Sequence, residues 1–155
     1  MVHYVLKLLP TTTDAASFYK ATTLSTENAG VDLFVPEEVV FAPGERKLVS
    51  MRVKAVLIAQ TALNETPVHY WMPPRSSISK TGLLLLNSVG VIDKSYRGEL
   101  MAFLWNTTDK EVTVKKGDRL VQILAPDMGA IKSLHLVSVL DVTERGEGGF
   151  GSSGR

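Results

Sequence analysis

The sequence predicts an all-β sandwich or barrel, on three observations. Short runs rich in β-branched residues recur along the chain. Pro, Gly, Asn and Asp break them at close intervals, and almost nothing carries helical periodicity. In order, the runs are "HYVLKLL" (3–9), "VDLFV" (31–35), "EEVVF" (37–41), "KLVSMRVKAVLIA" (47–59) and "SVGVI" (88–92). "ELMAFLWN" (99–106), "EVTV" (111–114), "RLVQILA" (119–125) and "LHLVSVL" (134–140) follow. Many alternate apolar with polar side chains, as half-buried strands do. The clearest is "VTVKKGDRLVQILA", with Gly117-Asp118 as its turn. Helical spacing is confined to Asp14–Ala21 and a short piece around Ser76–Gly82. "AVLIA" and "GLLLL" have the length of core strands, far short of a membrane span.

Composition narrows the function classes. A chain of 155 residues with 45% apolar content can bury the core of one domain. A net charge of +1, with scattered lysines and arginines, argues against a general binder of nucleic acid. The absence of cysteine excludes a disulfide framework and thiolate chemistry, and fits a reducing compartment. "MVHYVLKLLP" has neither the length nor the flanks of a signal peptide. The expectation is a soluble intracellular protein with no membrane partner.

Five stretches carry possible chemistry. In "NAGVDLF" (28–34), Ala29-Gly30 permits a tight turn before a strand on which Asp32 alternates with Val31 and Leu33. In "PPRSSISKTG" (73–82), two prolines lead into Arg75, Ser76 and Ser77. An arginine fork with hydroxyls and free amides at a helix start is a phosphate cradle. "NSVGVIDKSYRGE" (87–99) sets Asp93 directly after the branched residues Val91 and Ile92, where an unpaired carboxylate is costly. Asp-Lys-Ser is turn chemistry on its own, but a fold-back here would line one concave surface with Asn87, Asp93 and Tyr96. "KGDRLVQIL" (116–124) puts Asp118 in a turn and Gln122 on a strand. The tail holds Arg145 and the Gly/Ser-rich residues 148–154, with one aromatic, Phe150. On its own such a tail reads as a disordered terminus; as a flap, its amides and serines would wrap an anion while the aromatic stacks on a flat ring.

In this order, "AGVDLF", "PRSSISKTG", "GVIDKSYRGE", "GDRLVQIL" and "RGEGGFGSSG" resemble the five motifs of the trimeric dUTPase family, the deoxyuridine triphosphate nucleotidohydrolases. The resemblance spans residues 29–154. It implies a jelly-roll-like β-barrel over residues 1–142, a homotrimer with active sites shared between subunits, and a flexible glycine-rich C-terminal arm, 143–155, that closes over the site. It implies hydrolysis of dUTP to dUMP and pyrophosphate with Mg²⁺, which keeps uracil out of DNA and supplies dUMP for dTTP synthesis. By position, Asp93 resembles the general base that deprotonates the attacking water. Tyr96 resembles the aromatic that packs under the deoxyribose, and Asn87 lies where the family reads the uracil edge. Arg75, Ser76, Ser77 and Gln122 fall on phosphate contacts, and Asp32 on the support of the arginine and the metal waters. Arg145, Phe150, Gly151, Ser152 and Ser153 resemble the closing arm, with Phe150 over the uracil and Arg145 and the serines on the γ-phosphate. The compartment implied is cytoplasm or nucleus, or the host cell for a viral protein.

The chain departs from the pattern at Val31, where tyrosine is usual, at Ser77, where glycine is usual, and at Ser153, where threonine is commoner. Residues 57–72 also make a longer connection than usual, a surface excursion or an interaction site. Two other readings were weighed. The dCTP deaminase branch of the same fold shares "RSS" at 75–77. Its proton-transferring glutamate, however, corresponds to Phe103, which does no acid–base work, and its arginine to Lys80. A non-catalytic β-barrel interaction module is the other reading, and no proposed catalytic position is missing. The histidines His3, His69 and His135 lack metal-ligand spacing and read as surface or strand residues.

Overall fold

Alternation in the sequence becomes burial in the fold. A computed structural model of the chain describes residues 1–149. Among these, thirteen strands form: β1 (His3–Pro10), β2 (Gly30–Asp32), β3 (Val39–Phe41), β4 (Arg46–Ser50), β5 (Val53–Gln60), β6 (Glu65–Val68), β7 (Tyr70–Met72), β8 (Leu83–Leu85), β9 (Gly90–Ile92), β10 (Met101–Asn106), β11 (Val112–Val114), β12 (Gln122–Leu124) and β13 (Ile131–Leu136). One α-helix, α1 (Thr13–Lys20), and a 3-10 turn at Ser76–Lys80 complete the elements. The strands make four sheets, ordered β13-β1-β5-β6, β4-β10-β8, β11-β3 and β2-β12-β7-β9. Each turns one face onto a shared core that includes Leu6, Leu8, Leu33, Phe41, Met51, Leu57, Met72, Leu104 and Ile123. The result is the predicted all-β, jelly-roll-like barrel.

Some elements differ from expectation. The run 47–59 is two strands, because Arg52 takes a left-handed backbone (φ 53°) between them. Residues 57–72, expected as a surface excursion or an interaction site, include an exposed hairpin that adds β6 to the edge of the β13-β1-β5-β6 sheet. Leu57 to Gln60 pair with Val68 to Glu65 around a turn closed by Thr61 N–H donating to Asn64 O at 2.9 Å, and the chain then enters β7. Pro67 fits because β6 is an edge strand. Gly117-Asp118 forms the expected turn. It joins β11 in one sheet to β12 in another rather than closing a hairpin.

Helix α1 begins where Thr12 caps the Ala15 amide and carries Asp14 in its first turn and Lys20 in its last, both favourable to the helix dipole. Its buried residues Ala15 and Tyr19 are four apart, on one face. Phe18 stacks on Phe34 (5.1 Å between ring centroids), and Tyr19 meets the same ring edge-on. The Phe34 amide donates to the Tyr19 hydroxyl at 3.0 Å. The helix thus fixes the segment that follows Asp32.

Candidate active site

Two recesses collect the candidate residues. The first is polar, lined by Arg75, Arg119, Asp32 and Glu27. Asp32 and Gln122 face each other across β2 and β12. Asp32 Oδ1 pairs with Arg75 Nε at 2.8 Å and Oδ2 with Arg119 Nη1 at 3.1 Å, so one carboxylate serves two guanidiniums and the cluster keeps a net positive charge. Arg75 also donates to the Ser77 hydroxyl (3.1 Å) and the Arg119 carbonyl (3.2 Å), which fixes its fork. Ser77 has no left-handed backbone, and its hydroxyl holds Arg75 in place of the glycine expected there. Ser76, Gln122, Asp32, Arg75 and Arg119 line this groove together. Gln122 fits because Gly30, two residues before its strand partner Asp32, leaves room for its carboxamide. A Cβ on Gly30 would collide with the Gln122 carboxamide oxygen and stand 3.0 Å from its Cδ. Val31, where tyrosine is usual, points into the core.

The second recess is more apolar. Asn87, Val91, Ile92, Asp93, Tyr96, Arg145 and Gly149 line it, so Asn87, Asp93 and Tyr96 do share one concave surface, although β8 and β9 lie in different sheets and form no hairpin. Asp93 leaves the end of β9 and opens a turn in which its carbonyl accepts the Tyr96 amide at 3.0 Å. Tyr96 lies against the backbone, its hydroxyl donating to the Glu99 carbonyl at 2.7 Å. Burial raises the Tyr96 pKa, opposed by Arg145 and reinforced by Glu147 and Glu99, so the ring stays a neutral platform. Arg97 is buried and grips the turn from below. Its Nη1 donates to the carbonyls of Lys94 (2.8 Å) and Tyr96 (3.1 Å), and its Nη2 pairs with Asp141 at 3.0 Å.

The first residues of the tail lie on this same recess. Thr143 donates to the Ser95 carbonyl, the Arg97 amide donates to Gly146 O at 2.6 Å, and Arg145 contacts Asp93 Oδ2 while standing 5.5 Å over the Tyr96 ring. Arg145 therefore meets Asp93, not the groove of Arg75 and Gln122. Phe150, Gly151, Ser152 and Ser153 fall outside the described residues.

Among the described residues the two recesses share no lining residue. They are joined by an outward strip of one sheet, in which Leu124 pairs with Trp71 and Trp71 with Val91. Reading the sequence alone missed Arg119 and His69. Arg119 sits in the quoted "KGDRLVQIL", but its pairing with Asp32 depends on how the chain brings the two together and leaves no signal in the sequence. His69 had no sequence signal, because the strand register alone sets it opposite Asp93. Among the described residues no three His, Asp or Glu side chains gather as a metal cluster, and no helix is long and apolar enough to cross a membrane.

Comparison with known proteins adds the family. The dUTPase family matches residues 18–154. The deoxyuridine 5'-triphosphate nucleotidohydrolase of Clostridium kluyveri is 40% identical over 128 residues, which cover 82% of this chain and 84% of that protein. The Tolumonas auensis protein of the same name is 41% identical over 132 residues, covering 83% and 82%. The crystal structure of the Streptococcus mutans dUTPase aligns with a TM-score of 0.55 at 33% identity, covering 66% of this chain and 80% of that one. A match over most of the chain, on a barrel whose recesses hold the motif residues, makes this chain a member of the dUTPase family.

Proposed function

We propose that this chain hydrolyses dUTP to dUMP and pyrophosphate, with Asp93 as general base. The observation that carries the reading is the division of labour between the recesses. One is an apolar pocket with a carboxylate and an aromatic platform, suited to a deoxynucleoside and its α-phosphorus. The other is a groove where two arginines, two serines and a glutamine offer donors to phosphates, with Asp32 between the arginines and Glu27 also on its wall. Asp93 takes a proton from water, the water oxygen bonds to the α-phosphorus, and the bond from that phosphorus to the α–β bridging oxygen breaks, releasing pyrophosphate. Tyr96 under the deoxyribose leaves no room for a 2′-hydroxyl, and Asn87 borders the uracil. Arg75, Ser76, Ser77 and Gln122 serve the phosphates, Ser77 through its hold on Arg75.

Arg145 is the link between binding and chemistry. It is engaged with Asp93 here, and a triphosphate with its several negative charges outcompetes one carboxylate for it. Its transfer to the γ-phosphate frees Asp93 as substrate arrives. Residues 143–155 then act as the closing arm on the barrel of residues 1–142, with Phe150, Gly151, Ser152 and Ser153 completing the cover.

Both Asp32 oxygens are taken by arginines, and among the described residues no group of acidic or histidine side chains forms a cage for a bare ion. These residues fit Mg²⁺ that arrives on the triphosphate, with Asp32 reached through water. The ion supplies positive charge at the phosphates that the arginines alone do not.

A homotrimer fits the outward face of β4-β10-β8. There Leu48 and Leu84 are about half exposed and share a row with Met101, Phe103 and Trp105, an apolar face suited to a second and third copy. Because the recesses share no described residue within one chain, the pocket of one copy facing the groove of another builds the whole site.

The test is a nucleotide panel with Mg²⁺ scored for pyrophosphate. dUTP should be cleaved, and UTP, dCTP and dTTP much less. Ammonia release from dCTP, or no pyrophosphate from dUTP, would reject the reading.

A further inference from the structure

The Lys94 amide ends on a side chain outside the motifs. His69 Nδ1 accepts that N–H at 3.0 Å and lies 3.7 Å from Asp93 Oδ1. The register explains why. Strands β7 and β9 are antiparallel with Tyr70 opposite Ile92, so one step further His69 stands opposite Asp93. An Nδ1 that accepts a backbone amide puts the imidazole proton on Nε2.

We propose that His69 is a positioning residue for the base: by anchoring the Asp93–Lys94 peptide, it fixes the direction of the Asp93 carboxylate. The inference rests on the reading of Asp93 as general base. Rotation of that peptide would swing the carboxylate, and an aspartate that must aim a water tolerates little swing. The other groups at the carboxylate do not do this work. Arg145 holds Oδ2 from a tail segment that moves away with substrate in the mechanism above, and the Lys94 ammonium makes no hydrogen bond to Asp93 among those formed in the described residues. Strand β9 orients Ile92 but ends before Asp93. When Arg145 leaves, the Asp93–Lys94 peptide keeps two anchors, the Tyr96 amide on its carbonyl and His69 on its N–H, and His69 is the one supplied by a side chain. Its imidazole is exposed, so its loss unpacks no core, and the consequence falls on catalysis rather than folding.

The experiment compares wild type, His69→Ala and His69→Asn. Asparagine's Oδ1 reproduces the Nδ1 acceptor. Three quantities are read: kcat and KM for dUTP separately, the melting temperature, and hydrogen exchange at the Lys94 amide without nucleotide. Loss of one positioning hydrogen bond should lower kcat of His69→Ala roughly five- to tenfold, with KM within about twofold. Its Lys94 amide should exchange faster while its melting temperature holds. His69→Asn should restore both kcat and protection. A wild-type kcat in His69→Ala overturns the proposal. So does an alanine loss that asparagine fails to restore although the Lys94 amide is protected, and so does a loss tracked in both variants by early melting. A wild-type enzyme that releases no pyrophosphate from dUTP would instead overturn the function on which the proposal rests. The two failures are read apart.

Discussion

Gly98→Ala is the most discriminating perturbation of the Asp93 recess. Gly98 is buried and has no left-handed backbone, so alanine fits its main chain without strain. The obstacle is the Tyr96 ring. A Cβ at residue 98 would stand 2.6 Å from Tyr96 Cζ and 2.8 Å from Cε1, and closer still to the hydroxyl. Carbon pairs rest at about 3.5–4.0 Å, so the ring must move by about 1 Å. That shift also strains its hydrogen bond to Glu99. Overpacking of this kind costs roughly 1–3 kcal/mol, and a 1 Å displacement at a reacting centre costs roughly 10²-fold in rate. The assay is steady-state kcat/KM for dUTP and UTP with a melting curve, repeated in a Tyr96→Ala background. The single variant should lose about 10² in kcat/KM for dUTP and shift the dUTP-to-UTP ratio. In the Tyr96→Ala background the same change should cost little more, because its collision partner is gone. Equal cost in both backgrounds would show that Gly98 does something other than make room for Tyr96.

Asp93→Asn, nearly isosteric, should lower turnover by roughly 10²–10⁴ while dUTP still binds; titration calorimetry beside the rate assay checks it, and wild-type turnover would remove Asp93 from the chemistry. Arg97→Ala takes the donor from the part-buried Lys94 and Tyr96 carbonyls, at roughly 0.5–1.5 kcal/mol per hydrogen bond lost. Its thermal unfolding should move well below wild type, and an unchanged midpoint would mean water replaces the guanidinium. Burial pushes the Tyr19 phenol up to about 12, opposed by the Phe34 amide, while the unfolded phenol titrates near 10. The native state keeps that proton while the unfolded state loses it, so the contribution is whole below about pH 10. Between there and about 12 it falls away, by about 2–3 kcal/mol in all. Stability curves for wild type and Tyr19→Phe should therefore diverge in slope across that window, and parallel curves would refute the assignment.

Strands whose burial is written as alternation were legible in the sequence, such as β1 with Tyr4, Leu6 and Leu8 inward. The polar hairpin at 61–68 was not. "TALNETPV" carries no apolar period, and β6 exists because β5 offers an open edge. The site was legible where one short segment holds its parts together. Asn87, Asp93 and Tyr96 lie within ten residues of sequence, and the structure puts them on one recess. Contacts that cross strands were not legible. The pairing of Asp32 with Arg119 and of His69 with Lys94 depends on register, which pattern alone does not fix.

The branched residues before Asp93 do not bury it, because Val91 faces outward and Ile92 is only half-buried, so what directs the carboxylate is the set of backbone groups around it. The turn 93–96 exposes four carbonyls, and each has a donor. Asp93 O takes the Tyr96 amide, Lys94 O and Tyr96 O share Arg97, and Ser95 O takes the Thr143 hydroxyl. The Lys94 amide in turn meets His69. Three of these partners, Arg97, His69 and Thr143, come from outside the turn and from three different parts of the chain. A turn held at every carbonyl has little freedom, so the carboxylate it carries is directed rather than merely tolerated. Thr143 is the exception in kind, because it belongs to the tail. The segment whose Arg145 covers Asp93 also stiffens the turn beneath it, so movement of the tail changes both the access and the rigidity of the base at once.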